Sequence, residues 1–408
     1  MREIIKTVLL AFLIASALFQ TQELWFRNIS RGFFDILPLQ AAQNNISYSE
    51  YFVAPTRMLT SLGNNRFVLQ YNPGSISHLG YIFAYALDSE PVITNVTPEL
   101  FSGRSIIYHY NFDMPAWAFF EHFGIENRLP LEYFNKIIIV PQMVTNLVHI
   151  SFVGDRVVNY TITTSANVAL NSHIQNAHRD YGAAPFYYAS SSIMGFDFES
   201  NIFLPRWRGE AFEYNPIAIS SMFNDDLIEM GQKINFFFDN PAMVRSDNRN
   251  GVFTYGDFNV VVNYYNGVLE YTNHRQGFSQ GNLLTDFDRA MAFLTNDTNV
   301  VNYFFLQGFT TGDTYTIFYF DYIINNFPVM LAGAPQDHWL QIKVNQGYVT
   351  NYSKIAFALY QTQNTSYQQK DIISLVDSVG LNIYPVFGYV YNFRSAFAHI
   401  DWVIEGTE

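Results

Sequence analysis

The sequence predicts an α+β protein: one N-terminal apolar segment, then mixed α/β domains, the last two alike in topology. Three observations carry this reading. "MREIIKTVLLAFLIASALFQTQELWF" is the only stretch that approaches membrane length. Along the rest of the chain, alternating apolar runs bounded by turn residues are interspersed with helix-like stretches. In the second half one order of elements occurs twice.

The opening segment comes first. Arg2 and Lys6 lie on its N-terminal side, Ile4 to Phe19 is apolar apart from Lys6, Thr7 and Ser16, and Trp25 and Phe26 follow a polar cluster. A spanning helix needs roughly 20 residues. Ile4 to Glu23 reaches that length if Lys6 snorkels and the cluster lies at the outer interface, with Trp25 and Phe26 in the headgroup belt. The basic pair then keeps the N-terminus cytoplasmic. The rival reading is a cleaved signal, because "TVLLAFLIASA" has the length of an h-region and Ala15-Ser16-Ala17 is an A-x-A match. Both readings stand on the residues alone. Ala11 and Ala15 form a small-xxx-small pair that Leu18 and Gln22 continue at helical spacing, a face able to pack on another membrane helix. Against that, alanine is common in any signal segment.

From Tyr48 to Gly154, "RFVLQY", "LGYIFAYAL", "IIYHYNF" and "KIIIVPQM" read as strands or short buried segments, and "PAWAFFEHF" and "LPLEYF" as helices. "HISFVGDRVVNYTITT" reads as a hairpin about Gly154-Asp155, and "SANVALNSHIQNAHRDYG" as a helix. Then comes the repeat. "VVVNYYNGVLEYTN" (260–273) and "LQIKVNQGYVTNYS" (340–353) are each a strand, an Asn-Gly or Gln-Gly turn, and a second strand. Each follows a helix-like stretch, "SMFNDDLIEMGQKI" or "LLTDFDRAMAFLTN", and a further strand. "QKDIISLVDSVG" reads as a helix closed by Gly380, and "NIYPVFGYVYN" and "FAHIDWVIEG" as terminal strands.

Composition narrows the function classes. Hydrophobic residues make up 49% and charged residues 14%, so the chain folds. A net charge of -13 argues against nucleic acid as a partner. The absence of cysteine removes disulfides, thiolate metal sites and a cysteine nucleophile. No H-E-x-x-H and no G-x-S-x-G is present, and His173 and His178 fall on different helix faces. "HRD" (178–180) lacks every other kinase motif. "DFDRA" (286–290) and "FNDDLIE" (223–229) pair carboxylates, but at helix starts, where Asp caps the first turn. No catalytic residue, metal ligand or cofactor is therefore expected. Stacking of a cell-wall sugar or peptide on the aromatic exported part, by a secreted or anchored binding protein, is the alternative function.

Three stretches together resemble one family, YycH. "IKTVLLAFLIASALFQTQELW" is similar to its N-terminal helix, and "INFFFDNPAMVRSDNRNGVFTYGDFNVVVNYYNGVLEY" to its central signature: a Phe-rich strand, a "DP" turn, a "VR" pair, a polar turn and a hairpin. Asp239-Asn240-Pro241, Val244-Arg245, Asn250-Gly251 and Tyr255-Gly256-Asp257 stand at those places. "FYFDYIINNFPVM" and "GLNIYPVFGYV…HIDWVIEG" resemble its last domain. "TYGDFN" departs from the family's "YTDGNRG"-like turn, which bears on local turn geometry. The resemblance implies an uncleaved transmembrane helix at 4–26 after a cytoplasmic tail at 1–3. It implies three extracytoplasmic mixed α/β domains, at 27–185, 186–280 and 281–408. It also implies a non-enzymatic role as a membrane accessory protein of an essential cell-wall two-component system. The partners implied are a sensor histidine kinase of the YycG (WalK) type, a YycI-like protein and membrane lipid. Ala11, Ala15, Leu18 and Gln22 are the candidate partner-binding face.

Overall fold

The computed structural model describes residues 48–63, 66–71, 73–74, 76–94, 103–180, 186–189, 202–205, 211–214, 217–221, 227–249, 251–275, 281–297, 304–324, 327–332, 334, 336–361, 365–368, 383–392 and 397–406. The segment 4–26 and the stretch "QKDIISLVDSVG" lie outside them. Among the described residues no helix is long and apolar enough to cross a membrane.

The first half of the chain builds a nine-stranded sheet. In chain order its elements are α1 (Ser49–Val53), β1 (Arg57–Gly63), β2 (Arg66–Tyr71), α2 (Gly80–Leu87), β3 (Val92–Thr94) and β4 (Ser105–Pro115). Then come α3 (Ala116–His122), β5 (Tyr133–Pro141), β6 (Leu147–Val153), β7 (Val157–Thr163), α4 (Ala166–Asp180), β8 (Phe186–Ala189) and β9 (Ile202–Pro205). The strand order is β3-β7-β6-β5-β4-β1-β2-β8-β9. Alternation splits β1, β4 and β5 between two faces. Met58, Ile106, Tyr108, Ile137 and Ile139 join the main core with Ile82 and Phe83 of α2, Phe119 and Phe120 of α3, and Leu170 and Ile174 of α4. Leu59, Phe67, Leu69, Ile107 and Ile138 form a smaller cluster on the other face, and Phe327 packs against it.

The second half builds a thirteen-stranded sheet and a two-stranded one. Its elements are β10 (Ala211–Tyr214), β11 (Ile217–Ser221), α5 (Leu227–Ile234), β12 (Arg245–Arg249), β13 (Val252–Gly256), β14 (Val260–Tyr265), β15 (Val268–Asn273), α6 (Leu283–Asn296), β16 (Phe304–Thr311) and β17 (Tyr315–Ile324). They continue with β18 (Phe327–Ala332), β19 (Leu340–Asn345), β20 (Tyr348–Ile355), β21 (Phe357–Gln361), β22 (Thr365–Gln368), β23 (Ile383–Asn392) and β24 (Phe397–Gly406). The large sheet runs β12-β13-β14-β15-β20-β19-β17-β18-β23-β24-β11-β21, with β16 on β17. The β18–β23 pair is parallel.

The two hairpins read from the sequence are β14–β15 and β19–β20. Their turns carry positive φ at both central positions, Asn266 (48°) with Gly267 (79°) and Gln346 (46°) with Gly347 (88°). That is the type I′ geometry which matches strand twist, and it explains why Asn-Gly and Gln-Gly stand there. The hairpins join edge to edge: β15 pairs with β20, and Tyr271 stands opposite Tyr352. Those two tyrosines, with Phe237 and Phe293, form an aromatic cluster at the seam.

Helix α6 forms where the sequence predicts it. Asn282 caps it by accepting from the Thr285 amide at 2.8 Å, and Phe287, Ala290, Met291 and Leu294 bury one stripe. Its other end carries Asp297, an acidic residue where the helix dipole favours a cation. Lys354 of β20 supplies that cation: its ammonium binds the Asp297 carboxylate, which also accepts from the Tyr352 hydroxyl at 3.0 Å. Both charges are buried, Asp297 at 3% and Lys354 at 1% exposure.

Several readings change. "LGYIFAYAL" is a helix, α2, with Ile82, Phe83, Ala86 and Leu87 buried. A short continuous apolar run fits a buried helix and a buried strand alike, so its pattern did not separate them. "LPLEYF" is not helical; its end starts β5. The Phe-rich "INFFF" contributes the end of α5 and a 3₁₀ turn at Asn235–Phe237 rather than a strand. The β6–β7 connection is three residues long, since Val153 pairs with Val157. Gly154 is there for a close approach: a Cβ would come within 2.4 Å of the Tyr133 carbonyl oxygen.

Candidate functional site: the joint between the two sheets

Ala11, Ala15, Leu18 and Gln22 lie outside the described residues, so the structure says nothing of that face. Among the described residues no group of three or more His, Asp and Glu is placed to hold a metal ion. The paired carboxylates do other things. Asp286 accepts from Arg289 at 3.0 Å and from Thr316 at 3.4 Å, and the cap expected of it is Asn282. Glu229 pairs with Lys233 one turn on, at 2.8 Å. His178 of "HRD" bonds the Thr60 carbonyl at 2.9 Å, which ties α4 to β1. A shallow hollow of about 480 Å³ at one end of the large sheet is lined by Asn248, Gly251, Phe253, Tyr264, Asn266 and Gly267, and carries no titratable group other than a tyrosine.

Among the described residues, segments distant in sequence converge at the joint between the two halves. Its centre is α1, the first described element after the N-terminal segment. Phe52 is fully buried. Its ring meets Phe112 of β4 at 6.3 Å, Phe287 of α6 at 5.2 Å and Phe309 of β16 at 5.8 Å. Phe112 and Phe309 meet edge-on at 5.4 Å. Such aromatic pairs each add roughly 0.5–1.5 kcal/mol beyond their burial. Polar contacts fix the register: Asn111 Nδ2 donates to Gln307 Oε1 at 2.9 Å, and the Tyr48 amide donates to Asp288 Oδ1 at 2.8 Å. On the other side, the Tyr110 hydroxyl donates to the Val53 carbonyl at 3.0 Å. Helix α1 is thereby held by both halves at once.

A serine–histidine set stitches α1 to the N-terminal half. Ser49 Oγ lies 2.9 Å from His122 Nδ1, Ser77 Oγ lies 3.1 Å from Nε2, and Ser77 donates to Glu50 Oε1 at 3.3 Å. With its proton directed at Glu50, Ser77 accepts from Nε2–H, which leaves Nδ1 to accept from Ser49. In a serine–histidine–carboxylate triad the carboxylate bonds the far nitrogen of the imidazole. Here the carboxylate reaches Ser77 instead, and the set is a tie between helical segments. Burial lowers the His122 pKa, and Glu50 opposes that shift.

Asp288 gives the joint a pH dependence. Burial raises its pKa above the ordinary 3.8, and the Tyr48 amide opposes the rise. The folded state therefore holds this proton more tightly than the unfolded chain. The resulting stability is complete below 3.8 and is lost as pH rises through the higher folded value. In Asp288→Asn that loss is expected to vanish. The slope of Tm against pH just above 3.8, read by calorimetry, should become less negative, and an unchanged slope would assign the titration elsewhere.

These features define a class: a YycH-like fold of mainly antiparallel sheets, with the first described helix set in the joint. In particular, the crystal structure of YycH from Bacillus subtilis is similar to this chain with a TM-score of 0.56 and 12% identity, over 88% of this chain and 94% of that one. A second solved structure, an uncharacterized protein from Eubacterium rectale ATCC 33656, gives a TM-score of 0.35 and 10% identity over 54% of this chain and 84% of that one. No family model and no curated protein matches the sequence. The likeness to YycH agrees with the resemblance carried by the three sequence stretches.

Proposed function

We propose that this chain is a membrane-anchored, non-enzymatic accessory protein that regulates a sensor histidine kinase of a cell-wall two-component system. The single observation that carries the reading is the YycH-like fold over 88% of the chain. The segment 4–26 is the anchor, with 1–3 cytoplasmic and the bulk of the chain extracellular in three domains, 27–185, 186–280 and 281–408. The partners are the kinase, of the YycG (WalK) type, and a YycI-like protein. Ala11, Ala15, Leu18 and Gln22 form the face that packs on partner helices within the lipid. The mechanism is a bias on a two-state kinase, set by the differential contacts its two states make with this helix. The reading gives the joint a place in it: α1, the first described helix after the proposed anchor, is gripped by both halves.

The test is Ala11→Leu with Ala15→Leu in cells that carry the kinase and a reporter of its response regulator. Kinase output is expected to change at constant protein level. Constant output would refute the face. A mature N-terminus at Leu18, found by mass spectrometry, would refute the anchor and favour a secreted binding protein.

A further inference from the structure

The two histidines of α4 do different work. His178 bonds the Thr60 carbonyl. His173 faces a second histidine instead: its ring centre lies 6.3 Å from that of His78, in the 3₁₀ turn Ser77–Leu79 that leads into α2. Strands β3 to β7 separate the two in sequence, so only the fold brings them together. The Nε2 atom of His173 is buried and has no hydrogen-bond partner. A buried polar atom without a partner is uncommon in folded proteins and calls for a reason. Ring packing against His78 leaves that atom unpaired, so packing alone does not supply one. Burial lowers the pKa of both rings, and the closeness of His78 lowers that of His173 further. At neutral pH each ring therefore carries a nitrogen lone pair, the form of histidine that binds a metal.

The separation of the rings fits a shared ion. With a metal–nitrogen bond of about 2.0–2.1 Å and a ring nitrogen about 1.1 Å from the ring centre, two imidazoles on one ion have centres at most about 6.4 Å apart. The observed 6.3 Å falls just inside that limit. Such a span corresponds to ligands on opposite sides of the ion, as a square-planar centre takes them. His78 is exposed, so its ring can turn a nitrogen towards His173. No set of three His, Asp or Glu forms among the described residues, so water completes the coordination. The neighbouring Ser77 bonds His122 of α3 and Glu50 of α1. An ion between His78 and His173 would thus link α4 to the turn that already holds α1.

We propose that His78 and His173 together bind one divalent transition-metal ion of the square-planar, imidazole-preferring class, Cu²⁺ or Ni²⁺. The site goes beyond the regulatory reading and does not depend on it. It is read on purified protein without a kinase, so its failure leaves that reading standing, and the reverse holds too.

The test is titration of the full chain, purified in detergent without a histidine tag, with CuCl2. Electron paramagnetic resonance counts the nitrogens on the ion, and thermal unfolding follows the stabilisation that a ligand of the native state gives. At one equivalent of Cu²⁺ the wild type is expected to show coupling to two imidazole nitrogens and a saturable rise in Tm. His78→Gln and His173→Gln should each reduce the coupling to one nitrogen and weaken the apparent affinity at least tenfold. His78→Gln, at the surface, should keep the wild-type Tm in EDTA, so its loss of binding is not a loss of fold. A wild type without the two-nitrogen signal overturns the proposal, as does a His78→Gln variant that binds as the wild type does.

Discussion

Replacing Phe52 by Ala is expected to cost about 3–5 kcal/mol of stability and to make the two halves unfold separately. The ring is fully buried and touches both halves, through Phe112 on one side and Phe287 and Phe309 on the other. Truncation leaves a cavity at the joint, lined by groups that belong to different sheets, and neither half can collapse into it alone. Phe52→Leu keeps most of the volume and should cost less. Denaturant unfolding followed by two probes, one in each half, tests this. Coincident transitions in wild type and divergent ones in Phe52→Ala are the expected result. Coincident transitions in the variant would show that the remaining contacts, among them Phe112–Phe309, Asn111–Gln307, Tyr48–Asp288 and Phe327 on the smaller cluster, suffice to hold the halves together.

The second large effect is at Lys354 and Asp297. Either single change, Lys354→Met or Asp297→Leu, is expected to cost about 3–5 kcal/mol, because each breaks a buried ion pair from one side. The carboxylate left by Lys354→Met keeps the Tyr352 hydroxyl and loses the ammonium. The double change Asp297→Leu with Lys354→Met should recover most of the loss, since a buried ion pair replaced by apolar groups is often neutral or better. Urea unfolding of the four proteins in a double-mutant cycle gives the coupling. If the double variant loses the sum of the two single losses, the residues act independently and the pair is not the cause.

What the sequence made legible follows a physical line. Local signals were readable: "YNGV" and "NQGY" set turns that need positive φ, "NLLTDFDRA" starts α6, and "NIYPVFGYVYN" and "FAHIDWVIEG" pair as β23 and β24. Helix α2 was not readable, because its apolar residues occupy nearly every position and only Tyr81 and Tyr85 face outward. The joint was not readable either. Helix α1 is five residues long, too short to show a period, and Phe52 gains its meaning from rings that follow it by tens to hundreds of residues in sequence. The one available hint was the buried-type pair Phe52-Val53 just before Pro55. Asp288 sat in a motif read for its capping value, and its partner is the backbone of Tyr48.

The place of β11 has a consequence for how this chain is made. Residues 217–221 pair with β21 on one side and β24 on the other. Both neighbours are synthesised long after it, and the last of them ends at Gly406. One edge of the strand stays bare until β21 is made and the other until β24 arrives, and pairings of such sequence separation close slowly. A chain stopped short of β24 would present an unpaired template to its neighbours. Truncation before residue 397 should therefore appear as aggregation during biogenesis, read as loss of soluble protein after expression.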